Sequence, residues 1–437
     1  MDSLAPFKHV VIIGGGFGGI AAARALKRAP VRLTMIDRRN HHLFQPLLYQ
    51  VATAALNPGD IASPIRRILR RQRNASVILG EASSIDTRRK IVQLLDGEVA
   101  YDYLIVATGA THSYFGHDEW LGPAPGLKSL EDAVEIRRRV LVAYEAAERE
   151  IDAAEVSNWM TFAIIGAGPT GVEMAGALAE ISRRVLERDF RKIDPGRARI
   201  VLIEAGPKVL PAMSPQASAS ARRQLERLGV EVITDSPVTA IDDRGVVHGG
   251  ARLDSRTVIW AAGVAASPLG KTLGKDVKVD RAGRVIVNQD LSVPGVDGVF
   301  VIGDLASISS DGKPVPGLSP AALQEGRHAA KNIVRLIRGE PTIPFHYRDK
   351  GTLATIGKAA AVADIAGLHL SGVIAWLMWL FVHIFFLIGF RNRFIVIIEW
   401  ALTYVRNDRG ARLITGNVEP LLERGEKSEN RERMLSK

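Results

Sequence analysis

His9-Val10-Val11-Ile12-Ile13-Gly14-Gly15-Gly16-Phe17-Gly18-Gly19 is the stretch that decides the fold. A short apolar, β-branched run entering a glycine turn reads as a buried parallel strand. The Ala-rich segment Ile20–Lys27 behind it predicts a helix. Gly14, Gly16 and Gly19 fit the spacing G-x-G-x-x-G, with Phe17 and Gly18 inside the same turn. The first glycine permits the tight turn, the second lets a pyrophosphate approach the backbone, and the third lets helix and strand pack closely. A second strand, Val31–Ile36, ends in Asp37, 21 residues past Gly16. An acid at that place is positioned to accept a hydrogen bond from a ribose 2′-hydroxyl. Glycines alone are weak testimony. Strand, glycines, helix, strand and terminal acid in that order specify a dinucleotide site.

The pattern then repeats about 150 residues later. Thr161–Ile165 is a buried strand, followed by Gly166-Ala167-Gly168-Pro169-Thr170-Gly171 and a helix over Val172–Glu180. The next strand, Arg199–Ile203, ends in Glu204, 36 residues past Gly168. The charged stretch Arg183–Arg197 lengthens this crossover and reads as a surface insertion. Two such units imply two dinucleotides. Glu204 would repel a 2′-phosphate, so the second unit favours NADH over NADPH. Tyr101–Gly109 and Val258–Gly263 read as the return strands of the two halves, and Gly298–Asp304 as a strand delivering an aspartate to a glycine turn. The fold class is α/β: two Rossmann-like domains and a C-terminal region of helices.

Composition narrows the chemistry. The 437 residues allow two or three domains, and 47% apolar content is that of a globular chain. There is no cysteine, which excludes disulfide scaffolds, Cys-ligated iron–sulfur clusters and any thiol relay. Net charge is +10. No nucleic-acid module accompanies it, and the hydrophobic C-terminal region points to anionic lipid instead. No signal sequence is visible at the N-terminus, so the bulk of the chain is expected in the cytosol.

With Asp304 in place the chain resembles the glutathione-reductase-like flavoproteins. That resemblance implies FAD in the N-terminal unit and Asp304 at the flavin ribityl or pyrophosphate region. It implies a discontinuous FAD domain (1–115 and 269–345), an inserted NADH domain (116–268) and a C-terminal anchoring region (346–437). Three further segments, Asn40–Leu56, Pro316–Ile333 and Gly351–Val405, resemble the type II NADH dehydrogenases, single-subunit NADH:quinone oxidoreductases that pump no protons. Without cysteines the route is direct: hydride from NADH to the flavin, then electrons to a quinone.

Residue roles follow from that resemblance. Gln45, Pro46 and Leu47 line the flavin ring region, although an apolar turn of this type is also ordinary core. Ala82, Thr108, Gly109, Ala321 and Ala322 join the FAD set, and Gly263 joins the NADH set. Glu173 tunes hydride or proton transfer, or simply complements a helix N-terminus. On the quinone side the family motif usually reads A-Q-x-A-x-Q. Here Pro320 replaces the first glutamine while Gln324 keeps the second, and Glu325 beside it is a candidate proton source. Glu173 and Gln324 are the expected catalytic pair. No metal site is expected.

Ser371–Phe390 holds twenty residues without a charge, apolar but for His383. Its length suffices to span a bilayer, yet Arg391, Arg393, Arg406 and Arg409 follow it and prefer the side on which the NADH domain must stay. Phe394–Val405 is too short, and with Glu399 too polar, to return. The expectation is monotopic attachment to the cytoplasmic face of a bacterial plasma membrane, with Trp376, Trp379, Phe385, Trp400 and Tyr404 at interfacial depth. The resemblance adds a homodimer. Against this stand a soluble NADH oxidase or ferredoxin-reductase-like enzyme, which has no use for Ser371–Phe390, and a flavin-bound redox sensor resembling apoptosis-inducing factor.

Overall fold

The computed structural model describes residues 7–187, 189–387, 390–406 and 411–416, with the side chains of 390, 391 and 402–406 left aside. By internal contact the chain divides into two compact units: 1–43, 62–111 and 264–350 form the first, and 44–61, 112–263 and 351–437 the second.

The first unit is built on a five-stranded parallel sheet. At its centre Lys8–Ile13 pairs with Val31–Asp37 on one side and Tyr103–Val106 on the other. Val299–Val301 and Ala75–Leu79 form the edges. Val10, Val11 and Ile12 are wholly buried, each contributing about 1.5–3 kcal/mol of apolar burial. This is why the central strand reads as an unbroken apolar run rather than an alternating one. The helix Phe17–Ala25 starts within the glycine turn itself, three residues before the Ile20 expected from sequence. It packs on the long helix Ser319–Ile337, where a Cβ on Gly326 would lie 2.2 Å from the Gly18 carbonyl oxygen.

The second unit repeats the plan with a four-stranded parallel sheet. Thr161–Ile165 lies between Arg199–Ile203 and Thr257–Trp260, and Val230–Ile233 closes one edge. The helix Pro169–Glu180 runs on into a π turn, Ile181–Val185, where the crossover becomes charged.

Two segments sit in this unit that the sequence partition assigned elsewhere. Residues 44–61 were expected with the flavin domain. Their helix Leu48–Ala52 packs instead against Leu130–Arg149. Residues 351–437 were expected to stand alone. Their hairpin sheet (Thr352–Gly357, Ala360–Ile365, Leu368–Ser371) packs against the helix Pro169–Glu180, and a Cβ on Gly176 would lie 1.6 Å from the Ile356 carbonyl oxygen.

The apolar run does not form one twenty-residue helix. Ser371 belongs to a strand paired with Val362, and the helix covers only the 14 residues Val373–Phe386. A second helix, Phe390–Arg406, follows. Among the described residues no helix is long and apolar enough to cross a membrane.

Candidate dinucleotide and quinone site

The two glycine turns are close copies. Gly14 and Gly166 take φ of +102° and +98°, a left-handed region that only glycine enters without strain. Their N–H groups donate to Ile36 and Ile203, the penultimate and last residues of the neighbouring strands, at 2.8 and 2.7 Å. A Cβ on Gly19 would sit 1.8 Å from the Gly14 carbonyl oxygen, and one on Gly171 the same distance from that of Gly166. Around Gly16 and Gly168, by contrast, a Cβ would meet nothing within 4 Å. Tight packing at the first and third positions and open space at the second are what a pyrophosphate needs to reach the helix N-terminus.

Each acid folds back onto its own turn. Asp37 accepts the Gly15 N–H at 2.5 Å and the Arg39 N–H at 2.7 Å. Glu204 accepts the Ala167 N–H at 2.7 Å and the Gly206 N–H at 2.8 Å. A carboxylate has about four lone-pair sites, so two remain for ribose hydroxyls.

In the first unit Phe17, Gly18, Thr108 and Ala322 pack at or beside this turn. Phe17 packs edge-on against the His42 ring, 5.0 Å between centroids. His42 bonds the Gly15 carbonyl at 2.9 Å, and burial pushes it down to about 4, so the ring is neutral. Thr108 has a buried hydroxyl without a partner. It precedes Gly109, whose φ is +65°, and its N lies 3.2 Å from where a Gly14 Cβ would be. An orphaned hydroxyl and a glycine cradle together fit a flavin dinucleotide. Gly18 faces Ile302 and the Ala322 carbonyl. Ala321 and Ala322 are buried at the start of their helix. Asp304 stands on the 3₁₀ turn Gly303–Leu305. Ala82 begins the strand Ala82–Asp86 and is half-buried.

The positions expected on the quinone side are committed to the fold of the first unit. Gln324 donates to the carbonyl oxygens of Arg348 (3.0 Å) and Pro320 (3.2 Å), while its own oxygen accepts the Arg348 N–H at 3.0 Å. Glu325 is buried and accepts the Gly303 N–H. Burial pushes its carboxyl up to about 7 against the Gly303 N–H, which favours the charged form, and the charge of Asp304 adds to the rise. Pro320 lies in the first turn of the same helix.

In the second unit Pro169 opens the glycine helix and Thr170 is exposed beside it. A Cβ on Gly263 would strike the Ser113 carbonyl oxygen at 2.6 Å and the Phe115 ring at 2.7 Å. Gln45 is exposed and reaches the Lys128 carbonyl at 3.4 Å, while Leu47 is fully buried.

Glu173 lines a cavity of about 40 Å³ with Gln50, Glu180, Thr355, Trp379 and Trp400, room for about one water. Loss of solvent around the carboxyl pushes it up to about 8, against the Thr355 N–H, which favours the charged form. Trp400 donates its indole N–H to Gln50 at 2.8 Å, and Gln50 donates to the Tyr49 hydroxyl at 2.8 Å. Trp379 stacks on His383, 4.2 Å between centroids, and His383 bonds the Trp379 carbonyl at 2.8 Å. Burial holds His383 down at about 4.

Trp379 and Trp400, expected at interfacial depth, are therefore interior residues. Trp376 packs beside the hairpin sheet, and Phe385 is exposed. The Tyr404, Arg391 and Arg406 side chains and all of Arg409 lie outside the described residues. Gln50, Thr355, Trp379 and Trp400 were not foreseen as neighbours of Glu173. All four lie in segments that carry the family resemblance, Gln50 in Asn40–Leu56 and the others in Gly351–Val405, but nothing in the sequence joined them to Glu173.

The family profile described as pyridine nucleotide-disulphide oxidoreductase matches residues 8–326, and that described as NDH2 C-terminal domain matches 350–406. A type II NADH:quinone oxidoreductase of Mycobacterium tuberculosis is 47% identical over 426 residues, covering 94% of this chain and 90% of its own. The chain belongs to the type II NADH:quinone oxidoreductases. A Staphylococcus aureus enzyme of the same name is 30% identical, covering 84% of this chain and 91% of its own. In fold, the enzyme is similar to the NDH2 of Plasmodium falciparum solved with NADH: TM-score 0.86, 21% identity, 94% of this chain and 100% of that one. The sulfide:quinone oxidoreductase of Aquifex aeolicus shares the fold less closely, with TM-score 0.71, 22% identity and coverage of 91% and 95%. This enzyme is thus an oxidoreductase, and the readings as a soluble oxidase or a flavin-bound sensor give way.

Proposed function

We propose that this enzyme oxidises NADH bound at the second glycine turn and reduces a membrane quinone, with FAD held at the first. The observation that carries this is the duplicated glycine cradle with an acid returned to each turn, in a chain of this family. Gly14, Gly16, Gly19, Asp37, Thr108 and Asp304 would hold FAD, which when bound would supply two-electron redox chemistry between NADH and the quinone. Gly166, Gly168, Gly171 and Glu204 hold the nicotinamide dinucleotide, and the charge of Glu204 disfavours a 2′-phosphate.

Quinol formation needs one proton from solvent beyond the hydride that NADH brings. Glu173, with its carboxyl raised to about 8, carries a proton at neutral pH and can release it as the local charge changes. Glu325, raised to about 7, sits against the turn of Asp304 and steadies that aspartate's N–H neighbour. Its role is to position the turn.

The enzyme meets its quinone at a bilayer. Ile374, Leu377, Phe381 and Phe385 form an exposed apolar row on the helix Val373–Phe386, suited to lie in one leaflet at the cytoplasmic face. The enzyme works there as a homodimer, as the family resemblance implies. Anaerobic addition of NADH to the flavin-loaded enzyme should bleach the flavin absorbance, and a ubiquinone or menaquinone should restore it. Flavin that stays reduced with every quinone offered would rule the reading out.

A further inference from the structure

The excess positive charge of this chain is confined to one of its two units. The first unit holds 27 Lys and Arg against 16 Asp and Glu, and the second holds 30 against 31. One dinucleotide per unit would bring the same phosphate charge to each, so cofactor binding does not account for the asymmetry.

The densest part of the excess is the sequence Ile65-Arg66-Arg67-Ile68-Leu69-Arg70-Arg71-Gln72-Arg73. Ile65, Leu69 and Gln72 recur at helical spacing and point inward, with exposures of 0, 4 and 6%. Gln72 fixes the segment by donating to the Ala23 carbonyl at 2.7 Å. All five arginines are therefore turned to solvent. Among the described residues none of them has an ion pair or side-chain hydrogen bond. Five like charges on so short a segment repel one another, and neighbouring carboxylates would ordinarily relieve them. Here the relief must come from outside the chain.

We propose that this arginine cluster is a docking surface for the anionic headgroups of a bilayer, giving the first unit an attachment of its own. This rests on the reading that the quinone is taken from a membrane, since a polyanion in solution would bring the enzyme no nearer to it. Guanidinium groups match phosphate oxygens in pairs, and juxtamembrane basic clusters of this size favour anionic leaflets. The attachment is electrostatic, and is additional to the apolar row on Val373–Phe386.

The test is co-sedimentation of the full-length, flavin-loaded enzyme with phosphatidylcholine vesicles and with phosphatidylcholine–phosphatidylglycerol vesicles. The unaltered enzyme should prefer the anionic vesicles, and salt should erase the preference. Changing Arg66, Arg67, Arg70, Arg71 and Arg73 together to Gln should lower partition onto anionic vesicles by on the order of a hundredfold. Flavin content and NADH oxidation with a water-soluble quinone should stay unchanged. Changing the same five to Lys should largely retain binding. Neutralising five other exposed cations of the same unit, Lys275, Lys278, Arg281, Lys313 and Arg338, should have a much smaller effect.

Unchanged binding in the Gln variant, or an equal loss in the control, overturns the proposal. Loss of flavin with the Gln variant would place the arginines on the cofactor's phosphates and also overturn it. If the unaltered enzyme failed to reduce soluble quinone, the functional reading would fall, and the vesicle measurement would still report on the cluster.

Discussion

Glu173 shows how a single residue can couple chemistry to stability. Its carboxyl stands near 8 in the folded chain against 4.5 for a free glutamate. Between those values the folded protein keeps a proton that the unfolded chain has lost. Stability from this residue is therefore complete below about pH 4.5 and declines as pH rises through about 8, with a slope of up to about 1.4 kcal/mol per pH unit. Glu173→Gln keeps the shape and removes the titration. Denaturant unfolding of the flavin-loaded enzyme across that window should give a flatter pH dependence for the variant. Parallel curves for the two proteins would mean that Glu173 ionises normally. Much of the residue-level site was legible in the sequence, because glycine spacing and terminal acids are local signals. The surroundings of Glu173 were not legible. Gln50, Thr355, Trp379 and Trp400 reach it from four separate stretches of chain, and no spacing rule connects them.

At the scale of elements, the helix Val373–Phe386 is divided between two environments. Ala375 and Trp379 are buried, whereas Ile374, Leu377 and Phe381 are 65, 54 and 70% exposed. In the proposed attachment, taking Leu377 and Phe381 out of lipid would forfeit about 1.5–3 kcal/mol each. The double change Leu377→Asp, Phe381→Asp should lower partition onto neutral phosphatidylcholine vesicles by on the order of a hundredfold or more. Flavin reduction by NADH should be unaffected. Retained pelleting would move the anchor off this helix. Strands Thr161–Ile165 and Arg199–Ile203 have the bounds expected of them, because a buried apolar run closed by glycine or an acid marks both ends. The apolar run from Ser371 was harder to read. Its composition is helical throughout, but its first residue completes a hairpin sheet, and that pairing depends on a strand nine residues upstream. The Trp379 and Trp400 rings look interfacial for the same reason. Aromatic residues beside an apolar run fit lipid and protein interior equally well until their burial is known, and Trp379 and Trp400 are buried.

For the whole molecule, the chain visits each unit three times, yet each sheet is complete within its own unit. The cofactor assignment can therefore be read through stability as well as through activity. A ligand stabilises the part of the protein that must be folded to bind it, by about 2.7 kcal/mol at a hundred times its Kd. NAD⁺ is the suitable probe, because it leaves the bound flavin oxidised. At that concentration it should slow hydrogen exchange about a hundredfold for amides of Thr161–Ile165, Arg199–Ile203 and Thr257–Trp260 that exchange only when their sheet opens. Amides of Lys8–Ile13 and Tyr103–Val106 should be far less affected, since their unit is held by its own glycine turn and its own dinucleotide. Protection concentrated in the first sheet would exchange the two cofactor assignments. Equal protection of both sheets would mean that the units unfold as one, and that the glycine turns, although duplicated in sequence and geometry, belong to a single cooperative fold.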